Sequence, residues 1–193
     1  DYVGRSAACN ITFSLDQIIY REVAAQSSTN LNTLDNNIKG TSPPMDPTTF
    51  LNIWVVTFNS GLLGYAQFPW ELNLFPSTDG VVIADGTFGR NPRYTNFALG
   101  KTLTHEVGHW LGLYHTFQDT FNYQGGNIDY DQISGNLDEF RGDCVIDTPP
   151  QGDPTSGNPI NNPNAWPQSS PSDVSGNFRH MYMNYMDYSD DAA

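Results

Sequence analysis

His105-Glu106-Val107-Gly108-His109-Trp110-Leu111-Gly112-Leu113-Tyr114-His115 is the stretch from which the rest of this chain is read. On a helix, residues four apart share one face, so His105 and His109 can present their imidazoles to a single ion. Glu106 stands beside them and can reach the open coordination position. Two histidines do not complete a catalytic zinc site, which takes three protein ligands and keeps one position free. His115 follows His109 by six residues. In an unbroken helix it would lie about 600° further around the axis, roughly 120° off the face of His109 and about 9 Å along. The backbone must therefore break and turn back, and Gly112 stands where a positive φ costs least. The spacing H-E-x-x-H-x-x-G-x-x-H is complete, and three of the 4 histidines in the chain occupy its positions. Chance explains that poorly. A purely structural zinc site usually closes with a fourth protein ligand, commonly Cys, and would leave Glu106 without a role. The arrangement predicts a catalytic zinc site, in which the metal lowers the pKa of its water to about 7 and Glu106 takes the proton as general base.

Outward from this stretch, Leu99, Leu103, Val107, Trp110 and Leu111 recur at helical spacing, and no proline interrupts residues 98–115. A helix is predicted there, closed in the left-handed conformation at Gly112. The half before it reads as short strands divided by turns. Asn10-Ile11-Thr12-Phe13-Ser14-Leu15 alternates polar and apolar, and residues 18–23 form a second, weaker candidate. Leu51-Asn52-Ile53-Trp54-Val55-Val56 is rich in β-branched and aromatic residues, and Gly80-Val81-Val82-Ile83-Ala84-Asp85 is a further strand candidate. Residues 80–84 are also expected to offer an edge along which an extended substrate pairs. Beyond Thr116 the chain turns polar, and residues 118–177 are dominated by Asn, Asp, Gly, Ser and Pro. A loop of that length in a compact domain calls for something to organise it, and bound metal would do so.

The bulk properties fit this picture. A length of 193 residues suits one domain. With 8 Lys+Arg against 21 Asp+Glu, the net charge of −13 repels phosphate backbones and anionic lipid, so neither nucleic acid nor membrane is an expected partner. No stretch approaches the ~20 apolar residues of a membrane span. The opening Asp1-Tyr2-Val3-Gly4-Arg5 lacks an apolar core of a signal peptide, so a secreted protein of this sequence is expected to be a processed form. Cys9 and Cys144 fit one disulfide in an oxidising compartment, although two buried thiols would look the same. Asn10-Ile11-Thr12 is a glycosylation acceptor pattern. His180 reads as a solvated loop residue.

The chain resembles the metzincin metallopeptidases, whose signature is this long zinc motif with a methionine turn. More narrowly it is similar to the pappalysin (cytophagalysin) family. Three blocks carry the resemblance: His105 through Phe117; Gly142-Asp143-Cys144-Val145-Ile146-Asp147-Thr148-Pro149; and Asn184-Tyr185-Met186-Asp187-Tyr188-Ser189-Asp190-Asp191. It implies an α+β, metzincin-like catalytic domain over residues 1–193, with a horizontal cleft. Residues 1–115 would form an upper subdomain, a twisted mixed sheet with backing and active-site helices. Residues 116–193 would form a looser, loop-rich lower subdomain with the Met-turn. It implies that Met186 floors the metal and that Tyr188 donates its phenol to the tetrahedral intermediate, an oxyanion role. Without the zinc motif both would read as ordinary core residues. Asp143, Asp147 and Thr148 match a segment that holds calcium in the family, and Asp129, Asp131, Asp138 and Glu139 add carboxylates nearby. Asp191 matches the base of the pocket for the residue after the scissile bond, where a carboxylate favours Arg or Lys. Family members usually continue past this Asp-Asp pair.

The function implied is a secreted, monomeric zinc endopeptidase acting on protein or peptide substrates, with zinc catalytic and calcium structural. Two alternatives stand beside it: a catalytically silent zinc-binding interaction module, and a zinc hydrolase of non-peptide amides. Glu106 and Tyr188 weigh against the silent module.

Overall fold

The computed structural model describes residues 11–90, 94–117, 143, 154, 156–157 and 184–191. Two helices and three short strands organise them. Helix α1 (Leu31–Ile38) begins at Asn30, whose side-chain oxygen accepts from the Thr33 backbone N–H at 3.0 Å. That capping bond satisfies a donor the helix itself leaves orphaned. Leu34 and Ile38, one turn apart, are fully buried and form the face that meets the sheet.

The sheet comprises β1 (Ile53–Val56), β2 (Gly64–Ala66) and β3 (Val81–Ala84) in the order β1-β3-β2. β1 runs parallel to β3, pairing Ile53 with Val81 and Val56 with Ala84. β2 runs antiparallel, pairing Gly64 with Ile83 and Ala66 with Val81. The sheet is therefore mixed, as expected. All four residues of β3 are buried, which is why Val81-Val82-Ile83-Ala84 reads as a continuous apolar run. Val82 and Ala84 join Leu34, Ile38, Val56, Phe58 and Tyr65 in the core beneath α1. Val81 and Ile83 point to the opposite face, where helix α2 (Lys101–Trp110) packs across β2 and β3.

Several expectations change here. Residues 80–84 do not offer a free edge: β3 is central, with both sides paired. Among the described residues the edge beside α2 belongs to β2, a strand of three residues too short to stand out in the sequence. Residues 11–15 and 18–23 form no strand; Ile11, Phe13, Leu15, Ile18 and Ile19 are exposed. The first sheet-like contact after them is an isolated bridge between Gln26 and Phe58. The resemblance implied backing helices without placing them, and no signal in the sequence singled out residues 31–38. Helix α2 is shorter than expected, starting after Gly100 in the left-handed region at φ 84. Its buried residues are Thr102, Glu106, Gly108 and His109, while Leu99 and Leu111 are about half exposed. The most buried positions of the helix are thus polar or glycine rather than apolar. Among the described residues no helix is long and apolar enough to cross a membrane.

Candidate active site

Helix α2 stops where the motif requires. Gly112 takes φ 97. Its N–H donates to the His109 carbonyl at 2.9 Å, and the Leu113 N–H donates to the Gly108 carbonyl at 2.9 Å. These two bonds make a Schellman motif, which uses up carbonyls the helix end would otherwise leave open. The chain reverses and returns His115 to His105 and His109. The three Nε2 atoms stand 3.1 Å (105 to 109), 3.2 Å (105 to 115) and 3.0 Å (109 to 115) apart. A tetrahedral ion with metal–nitrogen bonds of about 2.0–2.1 Å has ligand edges of about 3.3–3.4 Å, so the triangle fits zinc with little adjustment. Among the described residues, it is the one group of His, Cys, Asp or Glu placed to hold an ion.

The outer nitrogens are fixed as well. His105 Nδ1 lies 2.5 Å from the Tyr185 carbonyl and His109 Nδ1 lies 2.8 Å from that of Leu113. A carbonyl only accepts, so each Nδ1 carries the proton and each Nε2 turns its lone pair to the centre of the triangle. Burial, with help from His109, pushes His105 down to about 4, and burial lowers His109 too. Both therefore stay neutral, the form that binds metal.

Glu106 projects from the same helix toward β2. Its residue is 6% exposed, and burial alone pushes its carboxyl up to about 8. A divalent cation in the triangle would act the other way, favouring the carboxylate. Tyr188 closes another side. Its ring meets His115 edge-on at 4.9 Å between centroids and Phe117 at 4.8 Å, while Phe117 stacks on His115 at 4.8 Å. Burial and then the Glu106 carboxylate push the Tyr188 phenol up, so it remains a donor.

Met186 is 5% exposed under the helix. A Cβ on Gly108 would stand only 2.5 Å from its Sδ, so Gly108 leaves the space that Met186 occupies. The Thr116 N–H donates to the Met186 carbonyl at 3.2 Å, joining the segment after the helix to the segment that carries Met186. Asp191 is buried in the wall of the same cleft; its Oδ2 accepts from the Leu99 N–H at 2.6 Å, and its own N–H donates to the Asn96 carbonyl at 2.7 Å. The cleft holds about 690 Å³, with Gly64, Phe97, Lys101, Glu106 and Tyr188 among its lining.

Thus His105, Glu106, His109, His115, Met186, Tyr188 and Asp191 are brought together. Asp143 is buried. Cys9, Cys144, Asp147, Thr148, His180 and the acidic residues at 129, 131, 138 and 139 lie outside the described residues. Sequence reasoning missed Gly64 and the aromatic wall. Phe68 meets His109 edge-on at 5.4 Å and stacks on Trp70 at 4.4 Å. Phe117 was visible next to the motif, but nothing in its spacing predicted a stack on His115.

A family model for the M43 peptidases, described as pregnancy-associated plasma protein-A, matches residues 32–193. An extracellular metalloprotease of Pyricularia oryzae is 40% identical over 144 residues, covering 74% of this chain and 42% of that protein. One of Verticillium alfalfae is 42% identical over 147 residues, covering 74% of this chain and 43% of that protein. Among solved structures, mature mirolysin of Tannerella forsythia, in complex with a cleaved peptide, is similar with a TM-score of 0.63 and 35% identity, over 86% of this chain and 55% of that chain. The fold is that of an α+β metzincin catalytic domain. The chain spans less than half the length of these two curated relatives.

Proposed function

Because this chain belongs to the pregnancy-associated plasma protein-A peptidase family, the pappalysins, we propose that it is a secreted zinc-dependent endopeptidase, its residues 1–193 forming one catalytic domain divided near His115. The single observation that carries the proposal is the convergence of three Nε2 atoms at 3.0–3.2 Å beside a buried carboxylate.

His105, His109 and His115 would hold the ion. When bound, zinc polarises a scissile carbonyl and acidifies water. An extended peptide would pair with the free edge of β2, as peptides add to exposed sheet edges, which sets its carbonyl against the histidine triangle. Glu106 takes the proton of the attacking water and passes it to the leaving amine. A buried carboxylate is a stronger base than a solvated one, so its setting suits that task. Tyr188 donates its phenolic hydrogen to the oxygen as that oxygen becomes anionic. Met186 supports the triangle from below.

Asp191 is proposed to confer a preference for Arg or Lys after the scissile bond. One carboxylate oxygen is engaged by Leu99 N–H, which anchors the side chain in the cleft wall. Lys101 lines the same cleft with its ammonium over the Tyr185 ring, 5.9 Å from the centroid, a position that holds its charge on the ring face. Calcium held around Asp143, Asp147 and Thr148, a Cys9–Cys144 disulfide and a monomeric state complete the proposal.

The test is hydrolysis of casein or gelatin by the wild-type chain, by the chain treated with a zinc chelator, and by Glu106→Gln. Cleavage confined to the untreated wild type supports the reading. Equal clearing by all three sinks it, and zinc binding with no clearing by any would favour the silent interaction module.

A further inference from the structure

Strand β2 meets the active-site helix at a residue without a side chain. A Cβ on Gly64 would stand 2.9 Å from Glu106 Cγ, 3.0 Å from Glu106 Oε1 and 3.0 Å from the Val82 carbonyl oxygen. Gly64 is not among the glycines with positive φ, and it pairs with Ile83 within a regular ladder. Backbone freedom therefore does not account for the glycine. Space does, and the space is filled by the stem and one carboxylate oxygen of Glu106. Among the described residues no donor hydrogen-bonds that carboxylate. Hydrogen bonds usually aim a buried carboxylate; packing against Gly64 takes that part here.

We propose that Gly64 is the positioning residue for Glu106, its missing Cβ fixing where the carboxylate stands between the histidine triangle and a peptide laid along β2. The inference rests on the peptidase reading and deepens it. It also explains why the strand opens on a glycine, which weakens pairing and commonly marks a close approach. The approaching group here is the general base. Carbon atoms not bonded to each other settle at about 3.5–4.0 Å, so a methyl group at position 64 would push Glu106 Cγ by roughly 0.5–1 Å. A misplacement of about 1 Å costs up to ~10²-fold in rate.

Gly64→Ala is expected to lower kcat roughly 10- to 100-fold, with zinc stoichiometry unchanged. A general weakening of the sheet could imitate part of that loss, so the deciding experiment is a double-mutant cycle with Glu106→Asp. The aspartate is one methylene shorter and withdraws from the slot. Gly64→Ala should then cost less than about threefold, because independent sites add and coupled ones do not. The contact with the Val82 carbonyl is common to both backgrounds and cancels. Equal losses in the two backgrounds would overturn the proposal. The same cycle read as thermal unfolding of the chelated, metal-free proteins needs no activity: Gly64→Ala should lower Tm more in the wild type than in Glu106→Asp, and equal lowering overturns the proposal again. A chain that never cleaves casein would sink the peptidase reading, while the unfolding cycle would still decide whether Gly64 sets the place of Glu106.

Discussion

Replacing Glu106 with Gln is expected to stabilise the metal-free chain at neutral pH while removing its peptidase activity. Burial pushes the Glu106 carboxyl up to about 8 from an ordinary 4.5. A raised carboxyl pKa means that the folded state holds a proton the unfolded state has already released. Stability from this group is therefore complete below about 4.5 and is lost as pH rises toward 8. At about 1.36 kcal/mol per unit, the cost to the wild type is about 1 kcal/mol near pH 5 and about 4 kcal/mol near pH 7.5. Glutamine has nearly the same shape and does not titrate, so its offset is independent of pH. The lowered His105 and His109 act in the opposite sense, losing stability as pH falls below about 6.5. They act equally in both proteins and cancel in the difference. Thermal unfolding of the two chelated proteins across this range should show the variant's advantage widening by about 3 kcal/mol, or roughly 6–12 °C for a chain of this size. Zinc should narrow the gap, because the cation stabilises the ionised carboxylate. A difference that stays flat between the two pH values would refute the reasoning, since the carboxyl would then have an ordinary pKa and no buried setting.

Three further outcomes follow from the geometry. Gly112→Ala would bring its Cβ only to ordinary contact, 3.4 Å from Pro69 Cγ, but on a backbone at φ 97, so strain of roughly 1–2 kcal/mol should weaken zinc binding about tenfold in a competition titration, with the rest of the fold intact. Gly108→Ala gains helix propensity of about 1 kcal/mol but drives a Cβ onto Met186 Sδ; overpacking of roughly 1–3 kcal/mol should win, and urea unfolding should show net destabilisation. Asp191→Asn should leave cleavage before Leu unchanged while lowering kcat/KM before Arg at least tenfold in matched peptides, a loss of about 1.4 kcal/mol or more.

How much of this was legible in the sequence depends on whether a feature announces itself locally. The histidine triangle did, because helical periodicity and one glycine dictate it: His105 and His109 share a face, and Gly112 makes the turn that returns His115. Strands β1 and β3 did as well, through Ile53-Trp54-Val55-Val56 and the doubly buried Val81-Val82-Ile83-Ala84. Helix α1 did not, because Leu34 and Ile38 are its only buried apolar residues, set among Asn, Asp and Thr. Strand β2 is three residues long and begins with glycine, so propensity argues against it. The alternation at residues 11–15 misled in the other direction. Alternation reports that a segment could be half buried; it does not supply the partner strand, and the described structure pairs this segment with none.

The most instructive departure lies on helix α2. Its apolar residues predict the buried side, yet Thr102, Glu106, Gly108 and His109 are the buried ones. A stable helix would ordinarily present leucine to a sheet, and a carboxylate without a donor would ordinarily be excluded from one. Both rules fail at the same positions, and the neighbours are shaped to permit the failure. Gly64 leaves space for Glu106 on one side, Gly108 leaves space for Met186 on the other, and the carbonyls of Tyr185 and Leu113 orient two imidazoles. Each concession weakens the local structure and each serves the same small volume. Packing for stability alone would have filled both glycine positions and replaced the acid with an apolar residue. That the chain does neither, within a few ångströms of three convergent imidazoles, is what separates a reactive site from a structural one.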